Sequence, residues 1–148
     1  RLNLIKKLRA TPRSSSMTRY LISQVAQLTQ MSRDTLRFYE KKGLIQPPLR
    51  GDNGYRYYSE QSIKRLTFIQ HCRALDMSLM EIQTLLDLEQ QPNANCSAVN
   101  QLIQQHLTEL DQKIEALNAL HQQLQKLNQS CQVPNTINHC QILKILEQ

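Results

Sequence analysis

The chain has 148 residues, with 18 Lys and Arg against 12 Asp and Glu, no tryptophan, 5% aromatic residues and three glycines. This length permits one ordinary domain, or a small domain with an appended helix, and leaves little room for an enzyme cleft. Few aromatic and glycine residues argue against a β-rich fold, while abundant leucine, glutamine and alanine favour helices. We therefore expect a mainly α protein. No nucleophile, base and orienting group can be assembled from its motifs, so we expect no enzymatic activity.

The charge is distributed unevenly along the chain. Residues 1–16 hold five bases and no acid, residues 17–76 hold ten bases against five acids, and residues 77–148 hold three against seven. A basic first half joined to an acidic second half is typical of a nucleic-acid-binding module with an appendage that does not bind. Two solvated surfaces are the alternative interpretation.

Residues 1–16 are interpreted as a leader, non-native or disordered, that precedes a native start at Met17. There is no run of eighteen apolar residues and no signal-peptide pattern, so we expect a cytoplasmic protein without a membrane partner. Cysteines in that compartment are reduced, and reduced thiols favour a role in metal binding or redox chemistry. The four cysteines are Cys72, Cys96, Cys131 and Cys140.

The first elements after Met17 form a helix-turn-helix pattern. Residues 22–28 carry one apolar helical face, and residues 29–31 are predicted to form a tight connection. Ser32 can cap a second helix that runs through Lys42, where Gly43 supplies a stop. Core positions on and after this second helix are predicted to be Leu36, Phe38 and Leu44.

A hairpin and two further helices follow. Prolines and glycines exclude a helix over residues 47–54, and Asn53-Gly54 is a strong turn signal, which predicts a small β-ribbon, or wing. Apolar residues with helical period predict a helix over 59–75, and a capping box at residues 78–81 starts another through about Leu88. Residues 17–92 are thus predicted to be a winged helix-turn-helix domain with two supporting helices.

The last large element is a long helix, predicted over residues 93–130. Its apolar seam has a near-heptad spacing and no core to pack on within so small a chain, so the helix is predicted to dimerise in an antiparallel coiled coil. Residues 131–148 are predicted to be a loop and a short terminal helix over 141–146. The seam comprises Ile103, Leu107, Leu110, Ile114, Leu117, Leu120, Leu124 and Leu127.

Two motifs carry a family resemblance. The run TLRFYE at 35–40 with GLI at 43–45, followed by GYRYY at 54–58, resembles the MerR family of transcriptional regulators. The order of winged helix-turn-helix, two helices and a dimerising helix is similar too. Residues 71–79 and the tail 140–143 resemble the cadmium, lead and zinc sensors of that family. The resemblance implies a homodimer that binds double-stranded promoter DNA together with RNA polymerase.

Arginine and small polar side chains can reach base edges and phosphates from a recognition helix, while a ribbon can hold the phosphate backbone. Alternatively these are solvated charges, with Tyr55 and Tyr57 packed in the core. The candidate DNA-binding residues are Ser32, Arg33, Thr35, Arg37 and Tyr39 on the helix, with Arg50, Asn53, Tyr55 and Arg56 in the wing.

The cysteines predict a metal site. Cys131 and Cys140 flank an irregular loop that can bring both sulfurs onto one ion, and in an antiparallel dimer Cys96 of the partner subunit would join them. Three thiolates suit Pb(II), Cd(II) or Zn(II), with His139 as a candidate fourth ligand. Zinc sensors of the family often carry paired cysteines at the loop start. Here Cys131 stands alone, which favours lead and cadmium.

The predicted function is therefore transcriptional activation of heavy-metal resistance or efflux genes in response to a divalent ion. Without a metal, the cysteines would be small buried hydrophobic residues, or Cys131 and Cys140 would form a disulfide. Two alternative functions remain at this stage. One is a DNA-binding regulator that responds to thiol oxidation. The other is a metal buffer whose basic lobe is incidental.

Overall fold

The computed structural model describes residues 18–134 and 136–148, so the predicted leader at 1–16 lies outside the described residues. The chain forms two compact units, one ending at Thr84 and one beginning at Leu85. In chain order the elements are β1 (Arg19–Leu21), α1 (Ile22–Thr29), α2 (Arg33–Lys41), β2 (Leu49–Arg50), β3 (Arg56–Ser59), α3 (Glu60–Ala74), α4 (Leu79–Glu89), α5 (Ser97–Gln129) and α6 (Gln141–Leu146). The predicted mainly α fold is confirmed.

Helices α1 and α2 form the predicted helix-turn-helix. The turn between them uses Gln30, whose φ of 55° lies in the left-handed region that ends a helix. Ser32 then caps α2, because its hydroxyl oxygen accepts a hydrogen bond from the backbone N–H of Thr35 at 3.1 Å. Gly43, at φ 74°, ends the second helix without the penalty that a Cβ would bring.

The wing is part of a three-stranded antiparallel sheet in the order β1-β3-β2. The predicted hairpin is confirmed, and its tip is closed by a hydrogen bond from the N–H of Gly51 to the carbonyl oxygen of Tyr55. A Cβ on Gly51 would lie 2.7 Å from Cε2 of Tyr57, so any other residue here would require the Tyr57 ring to shift. Strand β1 was not predicted from the sequence; it pairs with β3 from Arg19 opposite Ser59 to Leu21 opposite Tyr57.

The first unit has one apolar core beneath the helices and the sheet. Leu36 and Leu44 are buried as predicted, but Phe38 is 43% exposed and its assignment to the core was wrong. Burying each aliphatic or aromatic core side chain stabilises the fold by about 1.5–3 kcal/mol. The other fully or nearly buried members are Val25, Tyr39, Ile45, Tyr58, Leu66, Ile69, Cys72, Met77 and Ile82.

Side-chain caps begin both α3 and α4, and the one at α4 is the predicted capping box. The Ser59 hydroxyl accepts a hydrogen bond from the N–H of Ser62 at 3.1 Å. Ser78 and Glu81 form the reciprocal capping box, with the N–H of Ser78 donating to the Glu81 carboxylate at 2.7 Å. Between the helices, the guanidinium of Arg73 donates to the carbonyl oxygen of Met77 at 2.7 Å and closes the turn.

Helix α5 has 33 residues and dominates the second unit. Six of the eight predicted seam residues are between 39% and 67% exposed in the single chain. The described part of the same chain therefore leaves most of this apolar seam open to solvent. A short 3-10 turn at Ile137–His139 and the helix α6 follow the loop. Among the described residues, no helix combines the length and apolar character needed to cross a membrane.

Candidate functional site

The recognition helix α2 presents two arginines to solvent. Arg33 and Arg37 are both exposed and lie four residues apart, so they share one side of the helix. Ser32 and Thr35 hold the start of the helix, since their hydroxyl oxygens lie 2.8 Å apart and Ser32 is the cap. The positive charges of Arg33 and Arg37 therefore lie on a helix whose start is fixed by local hydrogen bonds.

Tyr39 occupies a different place from the one the sequence predicted. It is only 8% exposed, and its ring centroid lies 5.8 Å from that of Phe38. Tyr39 packs in the core and Phe38 projects outward, where the ammonium group of Lys42 lies 5.7 Å from its ring centroid. This burial argues against a contact between the Tyr39 ring and DNA.

The wing carries the second group of candidates. Arg50 and Arg56 are direct cross-strand partners of β2 and β3, and both are exposed. Asn53 shapes the turn, because its carbonyl oxygen accepts from the N–H of Tyr55 and its amide donates to the Tyr57 hydroxyl, each at 3.1 Å. Tyr55 is 61% exposed, which contradicts the alternative that it packs in the core.

An acidic residue that the sequence did not single out joins the helix to the wing. Nη2 of Arg56 donates to Oε1 of Glu40 at 2.7 Å, and the Tyr58 hydroxyl donates to Oε2 of the same carboxylate at 3.3 Å. Burial raises the pKa of Tyr58, and the charge of Glu40 adds to the rise. The available signal was a glutamate in the last turn of the recognition helix, the end at which an acidic side chain is unfavourable to the helix dipole.

The loop after α5 brings two of the predicted metal ligands together. Cys131 and Cys140 are both partly exposed, and their side chains are near enough that Cys131 is among the groups that influence the pKa of the Cys140 thiol. The pKa of the Cys140 thiol is lowered, chiefly because the backbone N–H of Leu143 donates to its sulfur; the N–H of Ile142 and the Cys131 thiol contribute, and desolvation opposes them. Two thiols so placed can bind one soft metal ion or form a disulfide.

Cys96 lies at the opposite end of the long helix from this pair. It is exposed and forms the cap position immediately before Ser97, the first residue of α5. Thirty-three helical residues span roughly 50 Å, so Cys96 and Cys131 of one chain cannot share an ion. Within the described part of a single chain, Cys96 therefore stands apart from the pair.

His139 is adjacent to Cys140 and exposed. Its Nδ1 lies 2.8 Å from the Thr136 hydroxyl, which leaves Nε2 as the ring atom available for a metal ion. Cys72, by contrast, is buried in the first unit, and burial raises the pKa of its thiol. The structure thus supports the sequence-based separation of Cys72 from the ligand set.

A winged helix-turn-helix with exposed arginines on its recognition helix and ribbon, followed by a long helix, defines a DNA-binding transcriptional regulator. Residues 20–89 match the family model described as MerR HTH family regulatory protein, and residues 63–127 match the model described as MerR, DNA binding. The chain belongs to the MerR family. Its members are regulators rather than enzymes, which confirms both the resemblance and the expected absence of catalysis.

Individual relatives extend the similarity over most of the chain. A probable heavy metal-dependent transcriptional regulator of Haemophilus influenzae is 43% identical over 111 residues, 75% of this chain and 87% of the relative. The HTH-type transcriptional regulator ZntR of Escherichia coli K12 is 34% identical over 131 residues, 87% and 93% of the two chains. The crystal structure of PbrR691 from Ralstonia metallidurans CH34 in complex with lead(II) is similar with a TM-score of 0.75 and 37% identity, covering 86% of this chain and 98% of that one.

Proposed function

We propose that this regulator is a homodimer that senses a divalent heavy-metal ion, Pb(II), Cd(II) or Zn(II), and activates transcription of resistance or efflux genes. The observation that carries the proposal is the pair of neighbouring thiols at Cys131 and Cys140 in the loop after α5. Soft thiolate sulfur favours these ions over Mg(II) or Ca(II), and the lowered pKa of Cys140 provides a thiolate with less competition from protons.

The third ligand comes from the partner subunit. An antiparallel pair of α5 helices would cover the exposed apolar seam and lay the start of one helix beside the end of the other. Cys96 of one protomer would then lie next to the Cys131 and Cys140 pair of the other, so a symmetric dimer holds two equivalent sites. His139 is the candidate for a fourth ligand.

The relatives support a metal effector, and the loop sequence of this chain bears on which metal it is. PbrR691 binds lead(II) in its crystal structure, and the Haemophilus influenzae relative is named as heavy metal-dependent. A single cysteine at the start of the loop, where zinc sensors of the family often carry two, favours lead or cadmium for this chain.

The DNA side of the function uses the first unit. Arg33 and Arg37 approach the bases and phosphates from α2, while Arg50 and Arg56 hold the backbone from the wing. Metal binding activates transcription by favouring one of two states of the dimer, in which the bound promoter is distorted so that RNA polymerase can engage it. The metal can act only through a difference in its affinity for the two states.

The test is titration of the reduced protein with Pb(II), Cd(II) and Zn(II), following the ultraviolet bands of thiolate-to-metal charge transfer. We expect saturation at one ion per protomer for wild type and loss of tight binding in Cys96→Ser. Cys72→Ala is the matched control, because it also removes one thiol but leaves the three ligands in place. Equal binding by Cys96→Ser and wild type would contradict the shared three-thiolate site.

A gel shift on the chain's own promoter, with and without metal, separates the alternatives. Metal binding without specific DNA binding would favour the buffer. DNA binding that responds to thiol oxidation and not to any ion would favour the redox regulator, for which the neighbouring thiols of Cys131 and Cys140 are also suited.

A further inference from the structure

The wing places two positive charges side by side. Arg50 and Arg56 are directly opposite on β2 and β3, and residues in that relation lie on the same face of an antiparallel pair with Cβ atoms about 5 Å apart. Like charges so placed repel and destabilise the pair. Two arginines on one face of a ribbon can bind a single anion together where both side chains reach it.

Glu40 fixes one of these two arginines from the recognition helix. Its side chain is only 14% exposed, while that of Arg56 is 48% exposed, and Oε1 lies 2.7 Å from Nη2. The Tyr58 hydroxyl holds the other carboxylate oxygen from a position that is almost fully buried. The carboxylate is therefore anchored on one side and directs Arg56 on the other.

Arg56 keeps binding capacity beyond this ion pair. A guanidinium has five N–H donors in a fixed planar arrangement, so fixing Nη2 orients the remaining donors as well. An exposed, unrestrained arginine would lose rotamer entropy on meeting a phosphate, and an arginine already held loses less. The smaller loss of rotamer entropy opposes the electrostatic repulsion between the Glu40 carboxylate and the DNA phosphates.

We infer that Glu40 is a positioning residue for DNA binding, which holds the Arg56 guanidinium so that Arg50 and Arg56 together grip one backbone phosphate. The inference rests on the DNA-binding function of the first unit. The Glu40–Arg56 contact links the end of the recognition helix to the wing. The helix that contacts bases and the ribbon that contacts the phosphate backbone are therefore held in a fixed relative position.

The test uses the full-length dimer and its operator duplex, recovered by selection from random duplexes, with affinity measured by fluorescence anisotropy across KCl concentrations. Glu40→Gln removes a negative charge, so general electrostatics predicts tighter binding to DNA. Positioning predicts the opposite sign: about tenfold weaker binding and a smaller salt dependence, because a phosphate contact is lost in each half-site. Glu60→Gln is the matched control. It removes the same charge from the exposed Glu60–Lys64 pair of α3, and we expect unchanged or slightly tighter binding.

A double-mutant cycle with Arg56→Met distinguishes positioning from loss of fold. The weakening of DNA binding by Glu40→Gln should disappear when Arg56 is absent and leave at most the electrostatic gain, whereas weakening by general destabilisation would persist in that background. Tyr58→Phe, which removes only the anchor on Oε2, should weaken binding by less than Glu40→Gln. Tighter binding by Glu40→Gln, or an equal loss with and without Arg56, would overturn the inference. Failure of the wild-type protein to bind any duplex would instead contradict DNA binding itself.

Discussion

At the scale of single residues, the surroundings shift two cysteine thiols in opposite directions. The backbone N–H of Leu143 lowers the pKa of Cys140, whereas burial raises the pKa of Cys72. Thiolates are the reactive form, so a raised pKa and a covered sulfur both slow the reaction of Cys72 with an alkylating agent. Position in the fold thus gives two chemically identical thiols different pKa values and different reactivities.

We predict that Cys72 is the last of the four cysteines to react with iodoacetamide in the native protein, and that its labelling increases only above the ordinary thiol pKa of about 8.5. The pKa of Cys72 is higher in the folded than in the unfolded chain. The stability that its neutral thiol contributes is therefore full below the unfolded pKa and is lost as the pH rises from the unfolded to the folded pKa. Mass spectrometry of peptides labelled between pH 7 and 10 measures this. Equal labelling of Cys72 in native protein and in urea would contradict it.

The neighbours Phe38 and Tyr39 show where residue-level prediction from sequence fails. Both are aromatic and adjacent on α2, so they point about 100° apart, and the sequence offers no local reason to bury one rather than the other. Hydrophobicity placed Phe38 inside, but the structure buries Tyr39 and leaves Phe38 43% exposed. The outcome depends on the direction from which the rest of the unit packs on the helix.

At the scale of elements, the helix starts rest on local hydrogen bonds that single substitutions can remove. Ser59→Ala would leave the N–H of Ser62, a buried residue at the start of α3, without its side-chain acceptor. We expect a loss of about 1 kcal/mol in the free energy of unfolding, measured by urea denaturation. Ser23→Ala is the control, since Ser23 is an exposed serine inside α1, where alanine is the better helix former. Equal effects of the two substitutions would show that the cap does not stabilise α3.

These same local signals explain which elements could be predicted. The cap at Ser32, the capping box at Ser78 and the glycine at 43 marked helix boundaries to within a residue or two. Strand β1 was missed because its three residues have no alternation of their own and form a strand only by pairing with β3, far along the chain. The contact of Glu40 with Arg56 was missed for the same reason, since it joins a helix to a ribbon through tertiary packing.

At the scale of the whole molecule, a single chain leaves both the proposed set of metal ligands and the cover of its apolar seam incomplete. Two thiols lie together at one end of α5 and the third at the other, and the seam between them is exposed. One antiparallel partner would supply the missing ligand and cover the seam at the same time. Metal binding and dimerisation are therefore coupled in the proposed regulator, and the metal should stabilise the dimer.

Mixed dimers test this coupling directly. One chain carries Cys96→Ser and the other carries both Cys131→Ser and Cys140→Ser, with different affinity tags for isolation of the heterodimer. If ligands are shared between protomers, the heterodimer regains one complete site, formed by Cys96 of the second chain with the intact pair of the first. We expect one tightly bound Pb(II) or Cd(II) per heterodimer and none in either homodimer, measured by metal analysis after gel filtration.

Each other arrangement gives a different stoichiometry. A site built only from Cys131 and Cys140 would give two ions in the Cys96→Ser homodimer, which the proposal forbids. A site that required Cys96 from the same chain would give none in the heterodimer, because neither mutant chain then holds all three ligands. One ion in the heterodimer alone is thus the result expected only when the two ends of α5 meet across the dimer, as the length of the helix requires.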